Sequence, residues 1–81
     1  MKTIHIYEGK EILTIDGHLT ILKHHGDGVA LVAEYVTNED GEEELDCEHL
    51  LTFGEIAHRI KDHMGVNVAV HWDYEKEDAN A

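Results

Sequence analysis

The sequence has few of the residues that would cross-link a small domain or give it positive charge. Its 81 residues include a single cysteine, Cys47, so a disulfide within the chain is impossible. No apolar run approaches the ~20 residues that a membrane helix needs, and no charged and apolar leader opens the chain. We therefore expect a cytoplasmic protein without a membrane partner. A metal ion or self-association could still add stability to so small a fold.

Basic residues are also scarce, and the acidic excess is uneven. The chain has 6 Lys and Arg against 18 Asp and Glu, a formal net charge of −12. Thirteen of the acids lie in residues 38–81. Such a field repels nucleic acid and favours association with basic protein surfaces. Because no basic stripe is present to follow phosphates, we expect no direct nucleic-acid binding.

Turn signals divide the first half of the chain into short β-strands. The pair Asp16-Gly17 lies between two apolar runs and predicts a type I′ hairpin. Close spacing of such signals predicts an antiparallel β-meander of about five strands. The expected strands are 3–7, 11–15, 18–24, 29–37 and 42–47.

One helix and a final strand follow the meander. Thr52 and Glu55 have the spacing of a capping box, and Gly65 is a typical helix terminator. Apolar residues then alternate from Val66 to Trp72, with the period of a half-buried strand. The prediction is an α+β fold with the sheet packed on the helix. We assign residues 1–74 to a single domain and residues 75–81 to a frayed acidic tail.

The strand expected at 29–37 is apolar on both faces. A helix of about 12 residues is about 18 Å long and covers only part of one sheet face. The second face must therefore be covered in another way. Sheet curling, a homodimer through the sheet and a different partner protein all remain open.

Eight histidines make metal binding or a pH response worth considering. Cys47 and His49 share a face of an extended strand and could be joined by His71 or His5. No spacing matches a zinc motif, so we predict no cofactor and expect mainly solvated surface histidines. The weak metal candidates are His24, His25, His49 and His71.

Catalysis finds little support. Asp46 and Glu48 flank Cys47 and would raise the pKa of its thiol, and we expect that cysteine to be at least half-buried in a strand. The chain contains no serine and no phosphate-binding glycine pattern. We therefore predict that the protein is not an enzyme, and assign no catalytic residue.

An acidic run between positions 39 and 48 is the best candidate for function. In a strand, alternate acids would share one face with their carboxylates about 6–7 Å apart, close to the spacing of phosphates along a nucleic-acid strand. The alternative is a solvated edge that keeps other chains from pairing with the sheet. The predicted partner-binding residues are Glu39, Asp40, Glu42, Glu44, Asp46, Glu48, Asp73 and Glu75.

In size, acidity and α+β layout, the chain resembles the compact inhibitors that phages deploy against host defence nucleases, including anti-CRISPR proteins. This resemblance is one of class and carries over no site residue. It implies an inhibitor that occupies a basic, nucleic-acid-binding surface of a processing enzyme in the host cytoplasm. The alternatives are a His-containing metal-binding or pH-responsive module, and a structural homodimer with a solubilising acidic surface.

Overall fold

A computed structural model describes residues 1–75. It confirms the α+β class, with an antiparallel meander, one helix and a final strand. Residues 76–81, most of the predicted acidic tail, lie outside the described part. In residues 1–75, no helix is both long and apolar enough to cross a membrane. The elements are β1 (Lys2–Ile6), β2 (Glu11–Leu13), β3 (Gly17–Gly26), β4 (Val29–Thr37), β5 (Glu43–Thr52), α1 (Phe53–Met64) and β6 (Val68–Trp72).

The meander has four strands, since β1 does not extend it. Strands β2, β3, β4 and β5 pair antiparallel in that order, whereas β1 pairs in parallel with β6. The pairing places Ile6 beside Trp72, and both side chains are buried in the core. Local turn signals could not predict this arrangement, because the partner of β1 lies at the far end of the described chain.

The β2–β3 hairpin forms, but its turn is shifted by one residue from the prediction. Ile15 and Asp16 are the central residues, and the Thr14 amide donates to the Gly17 carbonyl at 2.9 Å. Gly17 begins β3, where a Cβ atom would lie only 2.0 Å from the Tyr35 carbonyl oxygen. Glycine is therefore needed at position 17 for close approach of two strands.

A different Asp-Gly pair, Asp27-Gly28, supplies a turn with positive φ at both central positions. Asp27 and Gly28 have φ values of 54° and 73°, and they join β3 to β4. Positive φ at both positions of a two-residue loop is typical of a type I′ hairpin, which matches the right-handed twist of the flanking strands.

The predicted helix boundaries are confirmed. The Thr52 hydroxyl accepts from the Glu55 amide at 3.0 Å, and the Glu55 carboxylate accepts from the Thr52 amide at 3.3 Å. Gly65 ends the helix with a φ of 77°, and its amide donates to the Lys61 carbonyl. Both ends of α1 thus have partners for backbone groups that a helix terminus leaves unpaired.

One face of the four-stranded sheet carries the core. We call it the inner face, because α1, β1 and β6 pack against it. The opposite face, here the outer face, is covered by no element of residues 1–75. The core residues are Ile6, Ile12, Leu19, Ile21, Ala30, Val32, Leu51, Ile56, Ile60, Val68 and Trp72.

Candidate functional site

Strand β5 forms an edge of the four-stranded sheet and contains a β-bulge. It pairs with β4 on one side, and no strand of the described residues pairs with its other side. The register passes from Tyr35 opposite Leu45 to Glu34 opposite Cys47, so Asp46 is an extra residue. Because side chains alternate between faces, this extra residue reverses the alternation along β5.

The bulge breaks the predicted row of carboxylates. Glu44 is in register with Val36 on the inner face, whereas Glu48 is in register with Ala33 on the outer face. Glu42 precedes β5, and Asp46 is the bulge residue. The prediction that these four acids share one face is therefore wrong. The inserted residue moves the side chains that follow it to the opposite face of the sheet.

The outer face has an apolar strip along β4 and β5 that is exposed on its β5 side. Leu45 is paired with Tyr35 and Leu50 with Leu31. The two β5 leucines are 52% and 53% exposed, so the strip is open to solvent along the edge strand. We call this strip the outer apolar patch. Leu45 and Leu50 are its exposed residues, Val29, Leu31 and Tyr35 are half-buried, and Ala33 is buried between its neighbours.

Charged groups border the outer apolar patch. By register, Glu43 and Glu48 lie on the outer face of β5. His18 stacks on Tyr35 with ring centroids 4.6 Å apart and contacts the Glu43 carboxylate. Lys23 is in register with Leu31 on the β3 side. The border is thus acidic along the free edge and more basic toward the middle of the sheet.

Two further predicted contact residues lie in the turn between β4 and β5. Glu39 and Asp40 are exposed there. The Asn38 side-chain oxygen accepts from the amides of Asp40 and Glu42, both at 2.9 Å. This arrangement fixes the turn next to the acidic end of β5.

Asp73 and Glu75 lie at the other end of the sheet. Tyr74, between them, packs edge-on against His24 with ring centroids 5.9 Å apart. His24 is in register with Ala30, which in turn pairs with Leu51 near the end of β5. The structure therefore does not bring these two acids together with the acidic run.

The four weak metal candidates are dispersed. His24 stacks on Trp72, with ring centroids 4.6 Å apart, and helps close the core. His25 is exposed at a register shift in β3, and His71 lies beside His5 with ring centroids 6.4 Å apart. Among the four, His49 alone belongs to a close group of three metal-ligating side chains in the described residues.

That cluster lies on the inner face, where β4 and β5 extend beyond the core. Cys47 and His49 share a face, as predicted, but the third member is Glu34 and not His71 or His5. One ligand atom from each of the three lies within 4.8 Å of the others. Sequence spacing could not predict Glu34 as a member, because the bulge at Asp46 sets its pairing with Cys47. With Arg59, these residues form what we call the Glu34 cluster.

An ion pair organises the Glu34 cluster. Arg59 Nη2 lies 3.1 Å from Glu34 Oε1, and His49 Nε2 lies 3.1 Å from the same oxygen. The hydrogen bond from Arg59 is the main cause that holds the pKa of Glu34 below its ordinary value, against the opposing effect of burial. Arg59 therefore pairs across elements, although Glu55 has the spacing for a pair within the helix.

Cys47 is an exposed strand cysteine, so the expectation that it is at least half-buried is wrong. Its sulfur nevertheless lies 3.9 Å from an Asp46 carboxylate oxygen. Partial desolvation of the thiol is the first cause that raises its pKa, and the charge of Asp46 is the second. The raised pKa matches the prediction. A nucleophilic thiol needs a lowered pKa instead.

No protein family, curated protein or solved structure matches this chain. Two features of the chain itself bear on its function: the outer apolar patch with its acidic border, and the Glu34 cluster.

Proposed function

We propose that this protein is an acidic protein-binding module that docks its outer sheet face onto a basic surface of a partner protein. The observation that carries the proposal is the outer apolar patch, with Leu45 and Leu50 more than half exposed on a face that no described element covers. An apolar centre inside a charged border is the usual anatomy of a protein interface.

The outer face is large enough for this role. Strands β3, β4 and β5 have nine or ten residues each and together span about 33 Å by about 14 Å, whereas the three-residue β2 adds little. The product, about 460 Å², is close to one partner's share of a small, transient interface.

Charge favours a basic partner over a second copy of the chain. Each copy has a formal net charge of −12, and Glu43 and Glu48 border the patch. Pairing two such faces would bring like charges together, whereas a basic partner would be steered toward the face. Nucleic-acid-processing enzymes carry basic surfaces of this kind, so the module would act as an inhibitor by occupying one.

Capture at two salt concentrations tests the proposal. The immobilised chain would be exposed to nuclease-treated, heparin-binding proteins of a bacterial lysate at about 0.05 M and about 0.5 M salt. A specific protein should be retained at the lower concentration and released at the higher, where the Debye length falls below ~5 Å. The double substitution E43K/E48K should abolish its capture.

The matched control is E8K/E44K, which changes the net charge equally. Glu8 is an exposed residue between β1 and β2, and Glu44 lies on the inner face of β5. This variant should retain the same protein. Equal loss in both variants would show an effect of net charge alone and would contradict a docking face, as would equal retention in both.

Molar mass from light scattering tests the competing occupant. We expect a monomer in solution. A dimer that L45S/L50S converts to monomer would show that a second copy covers the outer face, and it would overturn the proposal.

A further inference from the structure

The Glu34 cluster brings together a carboxylate, a thiol and an imidazole from two adjacent strands. We propose that Glu34, Cys47 and His49 form a binding site for one zinc ion. This site lies on the inner side of β5, so it does not depend on the docking role of the outer face.

The distances are close to those of an occupied site. Zinc bonds of about 2.0–2.3 Å in a tetrahedral arrangement place ligand atoms about 3.4–3.6 Å apart. His49 Nε2 and Glu34 Oε1 are already 3.1 Å apart, and the whole set lies within 4.8 Å. Rotation of these exposed or partly exposed side chains would move the ligand atoms by about 1 Å and complete the tetrahedral arrangement. The paired strands would stay in place.

The chemistry of the set favours zinc over Mg²⁺ and Ca²⁺. A thiolate and an imidazole suit zinc, whereas Mg²⁺ and Ca²⁺ prefer oxygen ligands alone. Ionised Cys47 and Glu34 would neutralise the two positive charges of the ion. The nearby Asp46 carboxylate adds further attraction, and the fourth position is open to water.

Arg59 is the competitor for this site. Its guanidinium lies 3.1 Å from Glu34 Oε1, and its side chain is 35% exposed. Zinc binding therefore requires this cation to move outward or to share the carboxylate. Because two positive groups within about 5 Å repel each other, R59Q should tighten zinc binding by about tenfold or more. A cluster that served only as an ion-pair network would show no such gain.

Zinc binding would link the edge strand β5 to β4. Glu34 belongs to β4, and the other two ligands belong to β5, so one ion would link the edge strand to its neighbour. Domains of this size often depend on such a link. Zinc should therefore raise the midpoint of thermal unfolding, and a chelator should reverse the shift.

Titration of tag-free, reduced protein tests the site. Calorimetry with Zn²⁺ should give one ion per chain, and Co²⁺ should give a thiolate-to-metal charge-transfer band. We expect C47S to remove that band, and C47S, H49Q and E34Q each to weaken zinc binding by at least about 30-fold. Circular dichroism in chelator checks that each variant is folded.

Two helix histidines provide matched controls. His58, which lies 3.5 Å from Asp62, and His63 are exposed on α1. H58Q and H63Q should bind zinc like the unchanged protein. Zinc binding that is absent at 1 mM, that persists unchanged in folded C47S and H49Q, or that falls equally in H58Q would overturn the proposal.

Discussion

The two faces of the four-stranded sheet differ in what their apolar residues do. On the inner face, Leu19 and Ile21 are completely buried beneath α1, β1 and β6. On the outer face, Leu45 and Leu50 remain half exposed, although both are paired with residues of β4. Similar side chains thus stabilise the fold on one face and remain available for binding on the other.

The largest expected effect comes from a matched pair of leucines. Leu19→Ala removes a buried side chain and leaves a cavity, so the free energy of unfolding should fall by about 3 kcal/mol. Leu50→Ala acts on a residue that is 53% exposed, and it should cost less than about 1 kcal/mol. Urea denaturation of both variants measures the difference, and equal losses would contradict the distinction between the faces.

Gly17→Ala should lower the stability of the fold and also change the outer apolar patch. Gly17→Ala would place Cβ against the Tyr35 carbonyl oxygen, and the strands must separate to admit it. We expect a loss of about 2 kcal/mol, together with displacement of Tyr35 in the outer apolar patch. Thermal unfolding measures the loss. Gly54→Ala, where the new methyl group meets only ordinary contacts, is the control and should leave stability unchanged or slightly higher.

The smallest effect concerns the helix that covers the inner face. Thr52→Ala removes the hydroxyl that accepts from the Glu55 amide, and it should lower the free energy of unfolding by about 1 kcal/mol. Thr52→Ser keeps the cap and should lose less. Partner capture at low salt should be the same in both, since the Thr52 hydroxyl is engaged with Glu55 and neither substitution changes Leu45 or Leu50. Loss of capture in a folded Thr52→Ala variant would argue that the docking face extends beyond those leucines to the end of β5.

The sequence predicted the elements better than their arrangement. Capping residues and turn residues act locally, which is why the ends of α1 were predicted correctly. The pairing of β1 with β6 depends on burial of Ile6 against Trp72, and such a contact leaves no local signal. The shift of the β2–β3 turn has a similar cause. Gly17 is needed because β4 lies close to it, and this contact cannot be read from the residues around the turn.

The candidate site shows the same limit. Alternation correctly placed Cys47 and His49 on one face, but the bulge at Asp46 decided which face. It also separated Glu44 from Glu48 and set Glu34 opposite Cys47. A single extra residue therefore replaced the predicted carboxylate row with an apolar patch on one side and a ligand cluster on the other.

The most direct test of the docking face compares binding and stability in L45S/L50S. Both leucines are exposed, so we expect the free energy of unfolding to stay within about 1 kcal/mol of the unchanged protein. The same variant should no longer retain the protein captured at low salt. Undiminished capture by a folded L45S/L50S variant would contradict the account.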